Sequence, residues 1–257
     1  MQFSVLGSGS KGNCVFIESG KTAILIDGGF SGKEIGVRLT ALGKSIDCLN
    51  GIFVTHEHHD HISGVGVMSR RCSIPVFANE GTFFGAEKRL KKLFMRKEFN
   101  TGDTLSFQDL NVRSFAVSHD TNDPVGFIIS DGRRSLGYCT DTGIVSTLVG
   151  NRLKGLDSLI LEFNHDPELL RNGPYPPSLQ QRVRSNQGHL ANEDSAKLLE
   201  KIVHQNLQHV ILAHLSETNN LPEIAYREAA AAIPDTFSET ILKISDQDQP
   251  TSLFNII

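Results

Sequence analysis

With 257 residues, 39% of them hydrophobic, the chain can bury a sizeable core, and no repeat, low-complexity tract or linker divides it, so one domain over residues 1–257 is expected. A net charge of −4 excludes a globally basic nucleic-acid binder, and no apolar run approaches the ~18 residues that span a bilayer. Residues 1–6 read as strand rather than secretory leader, and Cys14, Cys48, Cys72 and Cys139 form no C-x-x-C pair; together these point to a reduced, cytoplasmic protein.

The first part of the chain is strand-rich. Residues 3–6, 14–18 and 22–27 read as strands, the last two joined by a Ser19-Gly20-Lys21 turn. Residues 31–42 read as a helix with Ser31 as N-cap, Ile35, Leu39 and Leu42 on one face and Gly43 as the stop. Residues 51–54 read as a buried strand, 61–72 as a helix ended before Pro75, and 81–97 as a very basic helix. A meander follows over 110–118, 125–130 and 135–140, with an Asp131-Gly132 turn. Residues 143–153 read as helix and 158–163 as strand; 165–188, rich in proline, read as a long polar loop. The remaining elements are a helix over 192–206 capped by Asn192, a strand over 209–213, a helix over 222–232 opened by Pro222, and strands over 240–244 and 251–257.

Chemistry concentrates in Thr55-His56-Glu57-His58-His59-Asp60-His61, which directly follows the apolar run at 51–54. Imidazole and carboxylate are ligands that zinc, manganese and iron accept, and burying this density of them without a cation is costly. Three further apolar runs stop at metal-competent residues: the strand at 110–118 at His119, that at 135–140 at Asp141, and that at 209–213 at His214. One such histidine alone would read as a packed or loop residue. Strand ends in layered α/β folds converge on one rim, so four together point to a metal site, with two ions expected.

Gly7, Gly9 and Gly12 have the spacing of a dinucleotide-binding loop, with Asp27 at the acidic position. That motif needs a helix at the third glycine. Here Val15, Ile17, Ile24 and Ile26 alternate as in a hairpin, so no nucleotide cofactor is expected. The loop is expected instead to approach the metal rim, with Asp27 supporting it. Lys88, Arg89, Lys91, Lys92, Arg96 and Lys97 could follow a nucleic-acid backbone, although a solvated helix face is the default reading of such a run.

The order His56-x-His58-x-Asp60-His61, His119, Asp141, His214 resembles the metallo-β-lactamase fold superfamily over essentially the whole chain. The resemblance implies an α/β architecture, an αββα sandwich of two mixed sheets with helices outside, and a dinuclear centre on one edge. It implies one ion on His56, His58 and His119, a second on Asp60, His61 and His214, and Asp141 between them. Two divalent ions, zinc or manganese, would activate a bridging hydroxide as nucleophile, with Asp60 part of the catalytic machinery. His189 in Gly188-His189-Leu190-Ala191-Asn192 matches a phosphate-contacting or general-acid histidine of the superfamily's phosphodiesterases. The stretches Leu6-Gly7-Ser8-Gly9-Ser10-Lys11-Gly12-Asn13, Leu161-Glu162-Phe163-Asn164-His165-Asp166 and Ala213-His214-Leu215-Ser216-Glu217-Thr218-Asn219-Asn220 are similar to the YycJ/WalJ group of bacterial metallohydrolases.

That likeness implies a 5′-to-3′ exonuclease acting on double-stranded DNA, with His165, His189 and Asn219 or Asn220 lining the cleft. The alternatives are a hydrolase of a small phosphodiester or thioester, or an inactive metal-binding protein. No membrane partner is expected, and the oligomeric state is left open.

Overall fold

The computed structural model describes residues 1–237 and 239–257. Two seven-stranded sheets form its centre. The first has the order β14-β1-β2-β3-β4-β5-β6, where β1 is Gln2–Gly7, β2 Cys14–Ser19, β3 Thr22–Ile26, β4 Gly51–Phe53, β5 Pro75–Ala78, β6 Met95–Glu98 and β14 Phe254–Asn255. The second has the order β13-β12-β11-β10-β9-β8-β7, where β7 is Thr104–Phe107, β8 Leu110–Ala116, β9 Val125–Ser130, β10 Ser135–Cys139, β11 Ser158–Glu162, β12 His209–Ala213 and β13 Ile241–Ile244. Both are mixed: β2 pairs antiparallel with β3 while β3, β4, β5 and β6 run parallel, and β8, β9 and β10 are antiparallel while β10 to β13 run parallel.

Strand periodicity divides the apolar residues between layers. Phe3, Val5, Val15, Ile17, Ile24, Ile26 and Phe53 meet Val112, Phe127, Ile129, Ile160 and Ile211 of the opposite sheet. The alternate residues Leu6, Phe16, Leu25, Ile52 and Val54 pack under helices α1 (Gly32–Ala41), α3 (Val65–Cys72) and α4 (Glu80–Leu90). On the other side Leu159, Leu161, Val210 and Leu212 pack under α5 (Thr147–Leu153), α8 (Asn192–Ile202) and α9 (Pro222–Ala231). Burial on both faces explains why these strands read as continuous apolar runs. The helix–sheet–sheet–helix order agrees with the αββα expectation.

Several elements depart from the sequence reading. The helix expected over 61–72 is two: α2 (His59–Ile62), then α3 after a break at Ser63-Gly64. The Gly64 amide donates to the Gly28 carbonyl, and the Asp60 carbonyl it would meet in a continuous helix accepts from the Asn13 amide, both at 2.8 Å, so the ladder is interrupted there. The basic helix expected over 81–97 stops at Leu90. Lys91 turns left-handed at φ 55°, and Arg96 and Lys97 lie on the exposed edge strand β6, where charge discourages strand addition. The loop expected over 165–188 holds two short helices, α6 (Pro167–Asn172), capped by Asp166, and α7 (Pro177–Val183). α5 begins four residues later than expected, at Thr147 behind the Ser146 cap. α8 is preceded by Ala191 as N-cap, because the Asn192 amide is bonded to Asn220.

Candidate metal centre

The carboxyl ends of β4, β10, β11 and β12, with the loop after β8, converge on one rim of the sandwich. β4 leads into the loop that carries His56 and His58 and into α2, which carries Asp60 and His61. Backbone contacts set that loop: Gly28 and Asn13 amides donate to the carbonyls of His61 and Asp60 at 2.8 Å each. A Cβ on Gly29 would lie 1.7 Å from the Asp60 carbonyl, so only glycine lets the turn after β3 come this close. Asp27, Asp141 and His214 have φ of 60°, 56° and 57°. This left-handed backbone, accessible to Asp and His at some strain, turns the chain at three strand ends.

The structure brings all seven expected ligand side chains together. Donor atoms of His56, His58 and His119 lie within 4.8 Å of one another, as do those of Asp60, His61 and His214; His56, His61 and Asp141 form a third such set. His58 Nδ1 is 3.2 Å from His119 Nε2. Asp141 reaches both halves: Oδ2 lies 3.4 Å from His61 Nε2, and Oδ1 lies 3.5 Å from His214 Nε2 and 3.9 Å from His119 Nε2. Asp60 Oδ2 is 3.5 Å from His61 Nε2 and 3.7 Å from His214 Nε2.

Outer partners orient the imidazoles. His61 Nδ1 faces Asp27 Oδ2 at 2.8 Å, His119 Nδ1 the Gly188 carbonyl at 3.0 Å, His214 Nδ1 Glu162 Oε1 at 3.2 Å, and His56 Nδ1 the Thr55 hydroxyl at 3.0 Å. Carbonyl and carboxylate acceptors hold the proton on the outer nitrogen and leave the inner one as a lone pair. Among the described residues, the inner atoms His56 Nε2, His214 Nε2 and Asp141 Oδ2 are buried without a hydrogen-bond partner. Unpartnered buried atoms within a close cluster of metal-competent donors fit a cation.

Electrostatics agree. Burial and neighbouring imidazoles hold His56 well below the usual histidine range. Burial would also lower His61, but Asp141, Asp27 and Asp60 outweigh it and raise it to about 9; His214 is raised in the same way, chiefly by Asp141. Burial pushes the Asp27 carboxyl up, partly offset by His61 and Thr55.

His189 lies beside this set: its Nδ1 is 2.7 Å from Glu162 Oε1 and 3.7 Å from Asp141 Oδ1, and its side chain is 20% exposed. His165 is buried, with Nδ1 3.3 Å from Asn164 Oδ1; burial lowers it to about 4, with Glu162 acting against that and His189 adding to it. It borders a separate cavity of about 180 Å³ with Arg171, Gln180 and Arg184. Asn219 and Asn220 are 1% and 5% exposed, and Asn220 borders a cavity of about 510 Å³ with Ser8, Leu215, Glu217 and Gln247. The Asn219 backbone ties α6 through its carbonyl, which accepts from the Asp166 amide, and Asn220 Nδ2 donates to the carbonyls of Phe163 and Asn164. His59, inside the motif, is exposed.

Three site residues were not assigned from sequence. Glu162, fully buried, accepts from the Thr142 and Leu190 amides and from both His189 and His214. Despite burial, those histidines hold its carboxyl far below the ordinary range. The signal was present, since the run Ser158-Leu159-Ile160-Leu161 is a fifth apolar strand that stops at a carboxylate. Asn13 donates to Asp60 Oδ2 at 3.2 Å and sits 3.0 Å from His61 Nε2, so the glycine loop does reach the rim. Asp120 Oδ1 is 3.7 Å from His58 Nε2 and 3.6 Å from His119 Nε2.

Two stacked mixed sheets carrying an H-x-H-x-D-H turn and three further histidine or aspartate strand ends on one rim define a metallo-β-lactamase-fold metallohydrolase. The chain belongs to the β-lactamase superfamily, whose domain model matches residues 22–215. Within it, the chain is 39% identical over 227 residues to exodeoxyribonuclease YycJ of Bacillus anthracis, covering 88% of this chain and 86% of that protein. It is 38% identical over 229 residues to exodeoxyribonuclease WalJ of Streptococcus pneumoniae, covering 88% and 85%. The fold is shared with the metallo-β-lactamase fold protein YhfI from Bacillus subtilis, at a TM-score of 0.77, 15% identity and 99% coverage of both chains.

Proposed function

We propose that the protein is a metal-dependent exodeoxyribonuclease, acting on double-stranded DNA in the 5′-to-3′ direction. The clustering of seven strand-end and turn side chains, three of whose inner atoms are buried with no hydrogen-bond partner among the described residues, carries this reading. Similarity over 88% of the chain to two exodeoxyribonucleases supports the substrate class.

On this reading His56, His58 and His119 would hold one divalent ion and Asp60, His61 and His214 a second, with Asp141 available to both. Zinc and manganese both suit imidazole and carboxylate donors. When bound, such a pair acidifies a water and withdraws charge from the phosphoryl oxygens. The chain's own groups do the rest. Asp27, Thr55, Gly188 and Glu162 fix the imidazoles from outside, so little reorganises during turnover. Glu162 accepts from His189 Nδ1 and so fixes the ring for the role assigned to it, assisting the departing oxygen or contacting phosphate. Asn13 supports Asp60 from the glycine loop. Among the described residues no helix is long and apolar enough to cross a membrane.

The test is metal-loaded protein on end-labelled duplex DNA, single-stranded RNA, a chromogenic phosphodiester and a thioester. Stepwise loss of nucleotides from the 5′ end of the duplex is expected. Fast turnover of the thioester alone would refute the nuclease reading.

A further inference from the structure

The segment that carries His189 packs on the His119 loop and brings the end of α7 next to the centre. The Gly188 carbonyl meets His119 Nδ1 at 3.0 Å, and the Ser118 hydroxyl donates to the Asn186 carbonyl at 2.7 Å. The His189 amide folds back onto the Val183 carbonyl at 2.8 Å, closing the last turn of α7. A Cβ on Gly188 would lie 2.1 Å from that carbonyl, so the closure needs glycine. These contacts clamp the end of α7 against the His119 loop. In consequence Arg182 Nε donates to Asp120 Oδ2 at 2.6 Å.

An isolated surface ion pair of this kind would contribute little to stability and would need no function. This one is placed differently. The other oxygen of Asp120 faces the Nε2 atoms of His58 and His119 at 3.7 and 3.6 Å. The guanidinium is therefore one carboxylate away from the imidazoles of the centre. Only Nε is engaged; among the described residues the two Nη groups donate to no acceptor, and the Arg182 side chain is 57% exposed. A guanidinium with its Nε anchored presents a planar fork suited to phosphate oxygens. Asp120 lies between this fork and the imidazoles, so the fork stands beside the centre rather than within it.

We propose that Asp120 holds Arg182 at the mouth of the metal centre to bind the backbone phosphate adjacent to the linkage being cut. The proposal rests on the exodeoxyribonuclease reading. Arg182 is the substrate-binding group, and Asp120 is a positioning residue.

The experiment compares wild type, Arg182→Ala, Arg182→Lys and Asp120→Asn, all metal-loaded and checked for ion content. Affinity for a phosphorothioate-ended duplex is measured against salt, and KM and kcat are measured on the natural duplex. Arg182→Ala is expected to keep its ions, to lower the log–log salt slope by about 0.9, and to raise KM roughly tenfold or more with a smaller effect on kcat. Arg182→Lys should restore the slope but only part of the KM, because the charge returns without the fork. Asp120→Asn should keep the slope and raise KM, because the cation remains but is no longer aimed. A wild-type slope and KM in Arg182→Ala would overturn the proposal, and so would loss of ions from that variant. If the wild-type protein cleaves the chromogenic phosphodiester but neither binds nor cuts DNA, the exodeoxyribonuclease reading fails and the assignment of Arg182 falls with it. If wild type degrades DNA and Arg182→Ala does so equally well, the arginine alone is refuted.

Discussion

Asp27→Asn isolates the outer support of the metal centre. Asp27 is fully buried and left-handed, and asparagine fits both its volume and its backbone. The carboxylate accepts three hydrogen bonds: from the Thr55 amide at 2.8 Å, from the Thr55 hydroxyl at 2.9 Å and from His61 Nδ1 at 2.8 Å. The amide keeps the first. Its NH2 then faces two donors, and the charge-assisted bond to His61 is lost. Such a bond is worth about 1.5–3 kcal/mol, which corresponds to roughly ten- to hundredfold in metal affinity. Protons modify the result. Asp27 is one of the carboxylates that raise His61 to about 9 against its burial, and that proton must leave before Nε2 can ligate. Removing Asp27 weakens this competition at neutral pH. The affinity gap between variant and wild type should therefore be narrower at pH 7 than at about pH 9.5. Competition with a chromogenic chelator at both pH values measures it, with circular dichroism as the check on folding. Equal affinities at both values, or a gap that is wider at pH 7, would refute the reasoning.

Asp141→Ala should abolish turnover and lower metal content together, because it removes the group that reaches both halves of the centre; elemental analysis at full activity loss but full occupancy would contradict that role. His189→Ala should keep its metal and lose roughly 10²–10⁴-fold in kcat, measured on end-labelled duplex, if His189 delivers the proton. Chelated and loaded protein should respond oppositely to alkali. In the chelated protein His61 is raised from 6.5 to about 9, so its contribution to stability is complete below pH 6.5 and is lost as pH rises through about 9. Metal affinity instead grows over that window as the competing proton leaves. Thermal melts from pH 6 to 9.5, with and without chelator, should therefore diverge; parallel curves would count against protonated His61 in the metal-free protein.

The centre was more legible than the scaffold around it. Runs such as Gly51 to Val54 and Val210 to Ala213 are apolar because both faces are buried, so their ends are marked by an abrupt change of chemistry at His56 and His214. Local signals also sufficed for α1 and α9, which open on Ser31 and Pro222. Elements fixed by long-range pairing left little local trace. β5 and β6 exist because they add in parallel to β4, and the four residues of β6 are all exposed, so no periodicity announces it. The same basic residues fit a helix until Lys91 turns left-handed. α6 and α7 each span less than two full turns and depend on Asp166 capping and on the contacts of the His189 segment, neither of which is a periodic signal.

Glu162 shows where a strand-end argument stops being sufficient. Sequence can say that a carboxylate terminates a buried strand, but its role depends on which nitrogen it meets. Asp141 meets inner Nε2 atoms and so faces the ions' position; Glu162 meets the outer Nδ1 atoms of His189 and His214 and so sets their tautomers. The backbone distinguishes them as well: Asp141 is left-handed at φ 56°, whereas Glu162 continues β11. Strand-end carboxylates that turn left-handed aim inward here at Asp141 and outward at Asp27, which accepts from His61 Nδ1. Backbone sign alone therefore does not assign ligand or support; the nitrogen that each carboxylate meets does, and that is a property of two strands brought together rather than of either one.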